Sequence, residues 1–170
     1  MFKKILVPLD GSTLAAKILP QVEDLAKCLQ AELILITIGS LLSTTTAAEF
    51  ALRGTEEFAA WMRSAAEKNL SALAEALKAK GLMVSYVYRE GSASAAQEII
   101  SYAAHNGCDL IAMATHGKGE VAWVLGSVAE KVVSHATVPV LLLRVMEIKP
   151  PISKQEYFFE QGEPASWGSE

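Results

Sequence analysis

Five short apolar runs recur along this chain, and the segments between them carry apolar side chains at three- and four-residue spacing. Residues 4–9, 31–38 and 109–114 are almost uninterrupted in apolar side chains, the pattern of strands buried on both faces of a parallel sheet. Residues 82–88 alternate instead, Met83, Ser85 and Val87 against Val84, Tyr86 and Tyr88, which predicts a strand with one less buried face at a sheet edge. The fifth run opens at Thr137 and ends near Val145; Pro139 near its start suits a second edge.

The helical spacing is equally regular. Residues 12–30 place Ala15, Ile18, Leu19, Val22, Leu25, Ala26 and Leu29 on one face. Pro20 lies inside that segment, where its missing N–H and its ring predict a kink or a delayed regular start. Residues 55–80 carry Phe58, Met62, Ala65 or Ala66, Leu70, Leu73 and Leu77 at three- and four-residue spacing and stop at Gly81; Trp61 and Met62 are assigned to the core, with a partner surface as the alternative. Ala95, Ile99 and Ala103 mark a helix ending near Asn106-Gly107, and Val128, Val132 and Val133 mark one over residues 127–135. Residues 39–54 break the periodicity and read as a loop. Strands alternating with helices predict an α/β fold, a doubly wound five-stranded parallel sheet with helices on both faces.

Composition narrows the function classes. The 170 residues suit one domain with a sizeable core. A net charge of −4 argues against a general electrostatic footprint for nucleic acid or an anionic membrane. Cys28 and Cys108 sit in apolar-periodic context and read as two reduced, buried thiols. The N-terminal apolar run is too short for a signal peptide or a membrane span, so a cytoplasmic location is expected. No internal repeat is present. The character changes at Met146, which divides the chain into a domain over residues 1–146 and a tail over 147–170. Tyr157, Phe158, Phe159 and Trp167 make that tail either a loosely attached terminus or an aromatic strap packed on its own or a neighbouring subunit.

The chemistry concentrates after the fourth strand. There the chain runs through Gly117, Gly119 and Gly126 to Ser127 at a helix start. Glycines let backbone N–H groups approach a ligand, and a helix N-terminus offers free N–H groups and a positive dipole end. The arrangement predicts a phosphate cradle, although neither the P-loop nor the dinucleotide fingerprint is present. Asp10 lies just past the first strand, at the carboxyl end of the sheet where ligands of open α/β folds bind, and Pro8 sets the chain's exit there. Asp10-Gly11-Ser12 is equally well suited to a turn and an N-cap. Ser127, His116 and Asp10 supply the side chains of a nucleophile, a base and an orienting acid. Ser127 is nevertheless not in a Gly-x-Ser-x-Gly elbow, and nothing in the sequence holds His116 beside it, so no catalytic residue is assigned.

These segments resemble the universal stress protein family. The resemblance rests on the opening residues 5–12, on residues 91–113, on the glycine segment and on the closing residues 138–144. Nucleotide-binding members carry Gly-x-x-Gly, nine residues, then Gly-Ser/Thr. Here the first glycine is Ala114, and eight residues, 118–125, separate Gly117 from Gly126-Ser127. The resemblance implies strand order 3-2-1-4-5, an adenine nucleotide alpha hydrolase-like fold, and homodimerisation through the fifth strand. It implies ATP, possibly with Mg, near Pro8, Leu9, Asp10, Ser12, Ile38, Met113 and Ala114, and phosphates around His116, Gly117, Gly126, Ser127, Val128 and Ala129. Ile38 reads equally well as core. Hydrolysis would be slow or absent. The alternative is a nucleotide-free stress protein acting through dimer or partner contacts, as in members that lack the glycine motif.

Overall fold

The computed structural model describes residues 1–39, 55–91, 94–115 and 125–144. Strand β1, Lys4–Pro8, shows how the core is divided. Ile5 and Val7 face one side of the sheet and Leu6 the other, and all three are fully buried. Successive strand side chains point to opposite faces, so one apolar run feeds two cores. The other strands are β2, Glu32–Ile38, β3, Val84–Arg89, β4, Leu110–Ala114, and β5, Val140–Leu143. All pair in parallel in the order β3-β2-β1-β4-β5.

The helices cover both faces. Helices α1, Thr13–Ala16, α2, Leu19–Leu29, and α3, Thr55–Lys78, lie on one. Val22 and Ala26 of α2 and Leu70, Ala74 and Leu77 of α3 pack there against Ile5, Val7, Leu33 and Leu35. Helices α4, Ala95–His105, and α5, Ser127–His135, lie on the other. Their Ile99, Ala103, Ala129 and Val132 pack against Leu6, Ile34, Ile36 and Ile111. This is the doubly wound α/β architecture expected from the alternation of elements. Both predicted edge strands are at the edges, with Met83 and Tyr86 of the β3 region exposed. Among the described residues, no helix is long and apolar enough to cross a membrane.

Three expectations need correction. The helix over residues 12–30 is split: α1 ends at Ala16 and α2 starts at Leu19, with Pro20 in its first turn, where a missing N–H costs nothing. Trp61 is 39% exposed, stacked obliquely 6.0 Å from Phe58, because it lies off the α3 stripe of Ala66, Leu70, Ala74 and Leu77. Cys28 is exposed near the end of α2; only Cys108 is buried, and burial pushes its thiol pKa up. The end of the fifth run at Val145, and the whole tail, lie outside the described residues.

Gly81 terminates α3 as predicted, at φ +84°, with its N–H donating to the Lys78 carbonyl at 2.8 Å. Beside that turn, Lys80 reaches Glu23 of α2 at 2.6 Å and Lys27 reaches it at 2.7 Å. These two bonds, Lys27 first, hold the Glu23 carboxyl below the usual range. A depressed folded pKa means a contribution present above the unfolded value, about 4.3, and lost as pH falls through the folded value. Glu23→Gln is therefore expected to lower thermal stability at pH 7. The difference from wild type should shrink progressively below pH 4, and a constant difference across that range would remove the carboxylate as its cause.

Candidate functional site: the crevice between strands one and four

Chain direction creates the crevice. From β1 the chain turns onto the α1–α2 face and returns through β2; from β4 it reaches α5 on the opposite face and returns through β5. β1 and β4 are neighbours, with Ile5 opposite Leu110 and Leu6 opposite Ile111. Divergence of two adjacent parallel strands opens a gap at their carboxyl ends, the switch point where open α/β sheets bind ligands.

One wall is the loop after β1. Pro8 and Leu9 are buried, and the Leu9 N–H donates to the Ile36 carbonyl at 2.8 Å. Gly11 adopts φ +75°, which a side chain would disfavour. That turn brings the Ser12 N–H and hydroxyl onto Asp10 Oδ1 at 2.9 and 2.5 Å. Ser12 Oγ in turn accepts the Ala15 N–H at 3.0 Å, so Ser12 caps α1. The turn-and-cap arrangement is therefore present, and it also positions the Asp10 carboxylate, half-buried, at the rim of the crevice.

The other wall is the junction of β4 and α5. Met113 and Ala114 end β4 in a buried state. The Thr115 N–H donates to the Leu143 carbonyl at 3.0 Å, and the Thr115 carbonyl accepts the Gly126 N–H at 2.9 Å. The base of the glycine segment is thus closed by one hydrogen bond between residues 115 and 126. Gly126 then starts α5 with no side-chain cap, at φ −58°, and its carbonyl accepts the Glu130 N–H at 2.8 Å. That φ is open to any residue, so no left-handed turn requires the glycine here. Gly126 and Ala129 are buried, Val128 half-buried and Ser127 exposed. The first N–H groups of a helix have no intrahelical partner, so Ser127, Val128 and Ala129 present donors at a positive dipole end.

The Ala114 methyl belongs to the core cluster on the α1–α2 face, together with Leu9, Ala15 and Leu143. The extra carbon relative to glycine is thus taken up by packing. Ile38 and Met113 belong to the opposite cluster, and Ile38 is fully buried. His116 and Gly117, the remaining candidates, lie outside the described residues.

Two neighbouring features carry no local sequence signal. Thr115 was passed over because its backbone, not its hydroxyl, makes the closure. Gly39 follows Ile38 at the end of β2, and a Cβ there would lie 2.7 Å from Tyr88 Oη, 3.5 Å from Tyr88 Cζ and 3.6 Å from the Arg89 carbonyl. Only the β2–β3 register, Ile38 opposite Arg89, brings Tyr88 to this place. Arg63 stacks 5.5 Å from the Tyr88 ring centre and binds Glu90 at 2.7 Å. Burial first, and then Glu90, push the Tyr88 hydroxyl above its ordinary range. Gly39→Ala is expected to cost about 1–3 kcal/mol by overpacking. In a Tyr88→Phe background the nearest neighbour becomes the ring carbon at 3.5 Å, an ordinary contact, and most of that cost should vanish. Equal denaturation penalties in both backgrounds would show that the backbone of Gly39 sets the requirement.

Comparison with known proteins agrees with this fold. The model of the universal stress protein family matches residues 1–144. Universal stress protein YxiE of Bacillus subtilis (strain 168) is 34% identical over 150 residues, covering 85% of this chain and 100% of that protein. A solved structure of the hypothetical protein MJ0577 has a TM-score of 0.65 at 27% identity, covering 87% of this chain and 99% of its own. A universal stress protein in complex with cAMP has a TM-score of 0.57 at 19% identity, covering 84% of this chain and 97% of its own. One from Archaeoglobus fulgidus in complex with dAMP has a TM-score of 0.60 at 15% identity, covering 84% and 97% respectively. For these two complexes the likeness is one of fold.

Proposed function

We propose that this chain, which belongs to the universal stress protein family, binds an adenine nucleotide in the crevice between β1 and β4. The observation that carries the reading is the closure of Thr115 onto Gly126, which starts the uncapped helix α5 directly after β4, the strand paired with β1, whose own exit carries the Asp10 turn. Adenosine would lie along Pro8, Leu9, Asp10, Ile38, Met113 and Ala114, with Ser12 holding the Asp10 turn. Phosphates would lie on the N–H groups of Ser127, Val128 and Ala129 and against His116, Gly117 and Gly126. A helix N-terminus suits an anion of this kind because donors and dipole converge on it. The uptake of the Ala114 methyl into the core supports a cleft still open to the ribose. The universal stress proteins whose structures are in complex with cAMP and dAMP favour an adenine nucleotide as the ligand class.

ATP with Mg is the specific ligand we propose. Bound there, it would contribute negative charge, and the N–H groups of Ser127, Val128 and Ala129 would hold its phosphates. The chain's own residues would bind and orient; turnover would be slow or absent. The protein would then act as a cytoplasmic stress-response regulator through ligand-dependent association. The partner surface we propose is β5, an edge strand whose Val140, Leu141, Leu142 and Leu143 are all half-buried in one copy. Pairing with a second copy would cover that edge.

The reading is tested by denaturing freshly purified protein, identifying any released nucleotide by mass, and titrating ATP and Mg calorimetrically. Released ATP or micromolar binding is the expected result. No release and no heat would favour the nucleotide-free alternative, for which Ala114 in place of the first glycine is the specific motive.

A further inference from the structure

A groove of about 570 Å³ runs between α4 and α5, away from the crevice. Ala96 and Ile100 give it an apolar floor, buried and half-buried respectively, while Gln97, Ser101, Lys131 and His135 stand exposed along it. His135 Nδ1 lies 2.9 Å from the Lys131 carbonyl. A carbonyl only accepts, so Nδ1 carries the proton and donates, which anchors the imidazole on the last turn of α5, one turn beyond Lys131. The groove therefore combines an apolar floor with a cationic end, and it has the volume of a pocket for an aromatic ligand.

We propose that this groove is the docking site of the chain's own tail, with the aromatic side chains of Tyr157, Phe158 and Phe159 against Ala96 and Ile100. Three observations carry the assignment. The first is charge: Glu156 and Glu160 bracket the three aromatics, matching Lys131 at the groove's end. The second is reach. Tyr157 is thirteen residues beyond Arg144, and an extended chain of that length spans roughly 43 Å at about 3.3 Å per residue. Crossing one helix takes about 8–10 Å, and α5 itself is about 14 Å long at 1.5 Å per residue, so the path around it is well within range. The third is that the family match ends at residue 144. Three consecutive large aromatics favour burial, and they lie beyond the segment the family model matches.

Hydrogen–deuterium exchange on the full chain tests this. Amides of residues 155–161 and of the groove segments 97–101 and 131–135 are expected to exchange at least tenfold more slowly than in a Tyr157→Ser, Phe158→Ser, Phe159→Ser variant. Protection of residues 155–161 should be independent of protein concentration. Exchange of residues 155–161 at the unstructured rate in wild type overturns the proposal, whatever the triple variant does. Protection that rises with protein concentration also overturns it, in favour of a second copy as occupant. Charge reversal supplies the local test. Lys131→Glu should weaken protection of residues 155–161, and adding Glu156→Lys and Glu160→Lys should restore it. A tail protected to the same degree in the Lys131→Glu variant is docked elsewhere, and the assignment to this groove fails.

Discussion

Gly126→Asp is expected to lower affinity for ATP by at least about a hundredfold, a loss of roughly 2.8 kcal/mol, while leaving the fold intact. Two facts combine to give this result. Gly126 is buried at the entry of α5, so a carboxylate added there sits at the helix end proposed to hold the phosphates. An aspartate at a helix entry also accepts the N–H groups two and three residues on, here Val128 and Ala129, the donors proposed to hold phosphate. The carboxylate therefore competes directly for those donors and repels an incoming anion. The backbone at φ −58° accepts a side chain, and aspartate is a favourable N-cap, so thermal stability should be unchanged or raised. That separation makes the variant decisive. Calorimetric titration with ATP and Mg alongside a melting curve reads both quantities. Wild-type affinity in a well-folded variant would place the phosphates away from α5.

The largest stability effect is expected at Ile111. Its side chain is fully buried between β4 and the α4–α5 layer. Its backbone stands opposite Leu6 of β1 and Val140 of β5, and its N–H donates to the Pro139 carbonyl at 3.0 Å. Ile111→Ala removes three carbons from a site framed on two sides by strand ladders, which limits collapse around the cavity. The expected cost is about 2–5 kcal/mol, and at about 2–4 °C per kcal/mol the melting temperature should fall on the order of 10 °C. Because Ile111 lies three residues before Ala114 on the same strand, affinity should fall less than stability once the protein is kept below its melting transition. Denaturation by urea gives the first number and calorimetry the second. A loss under 1 kcal/mol would mean that the α4–α5 layer closes over the gap.

Much of this architecture is legible in residue order alone. The runs in β1, β2 and β4 are too continuous for half-buried strands, and burial on both faces is what a parallel sheet covered by helices demands. The alternation in β3 and Pro139 before β5 marked the two edges for the same reason. Pro20 announced either a kink or a delayed regular start, and the second is what occurs: a proline is harmless in a first turn, so the chain makes two helices and places it there. Trp61 and Cys28 were misassigned because both look apolar, while exposure depends on which stripe of a helix the neighbouring layer covers.

The site divides along the same line. Asp10-Gly11-Ser12 and Gly126-Ser127 were readable because their chemistry is local: a positive φ at Gly11, a hydroxyl cap, a helix start. Fold class, the number of strands and these two turns follow from short-range physics, from periodicity and from conformational preferences that act over a few residues. The meeting of Thr115 with Gly126, the uptake of the Ala114 methyl, the packing of Tyr88 over Gly39 and the groove between α4 and α5 have no such local signature. Each depends on strand register and helix placement between residues far apart in the chain, and these are set by the burial of the two cores together.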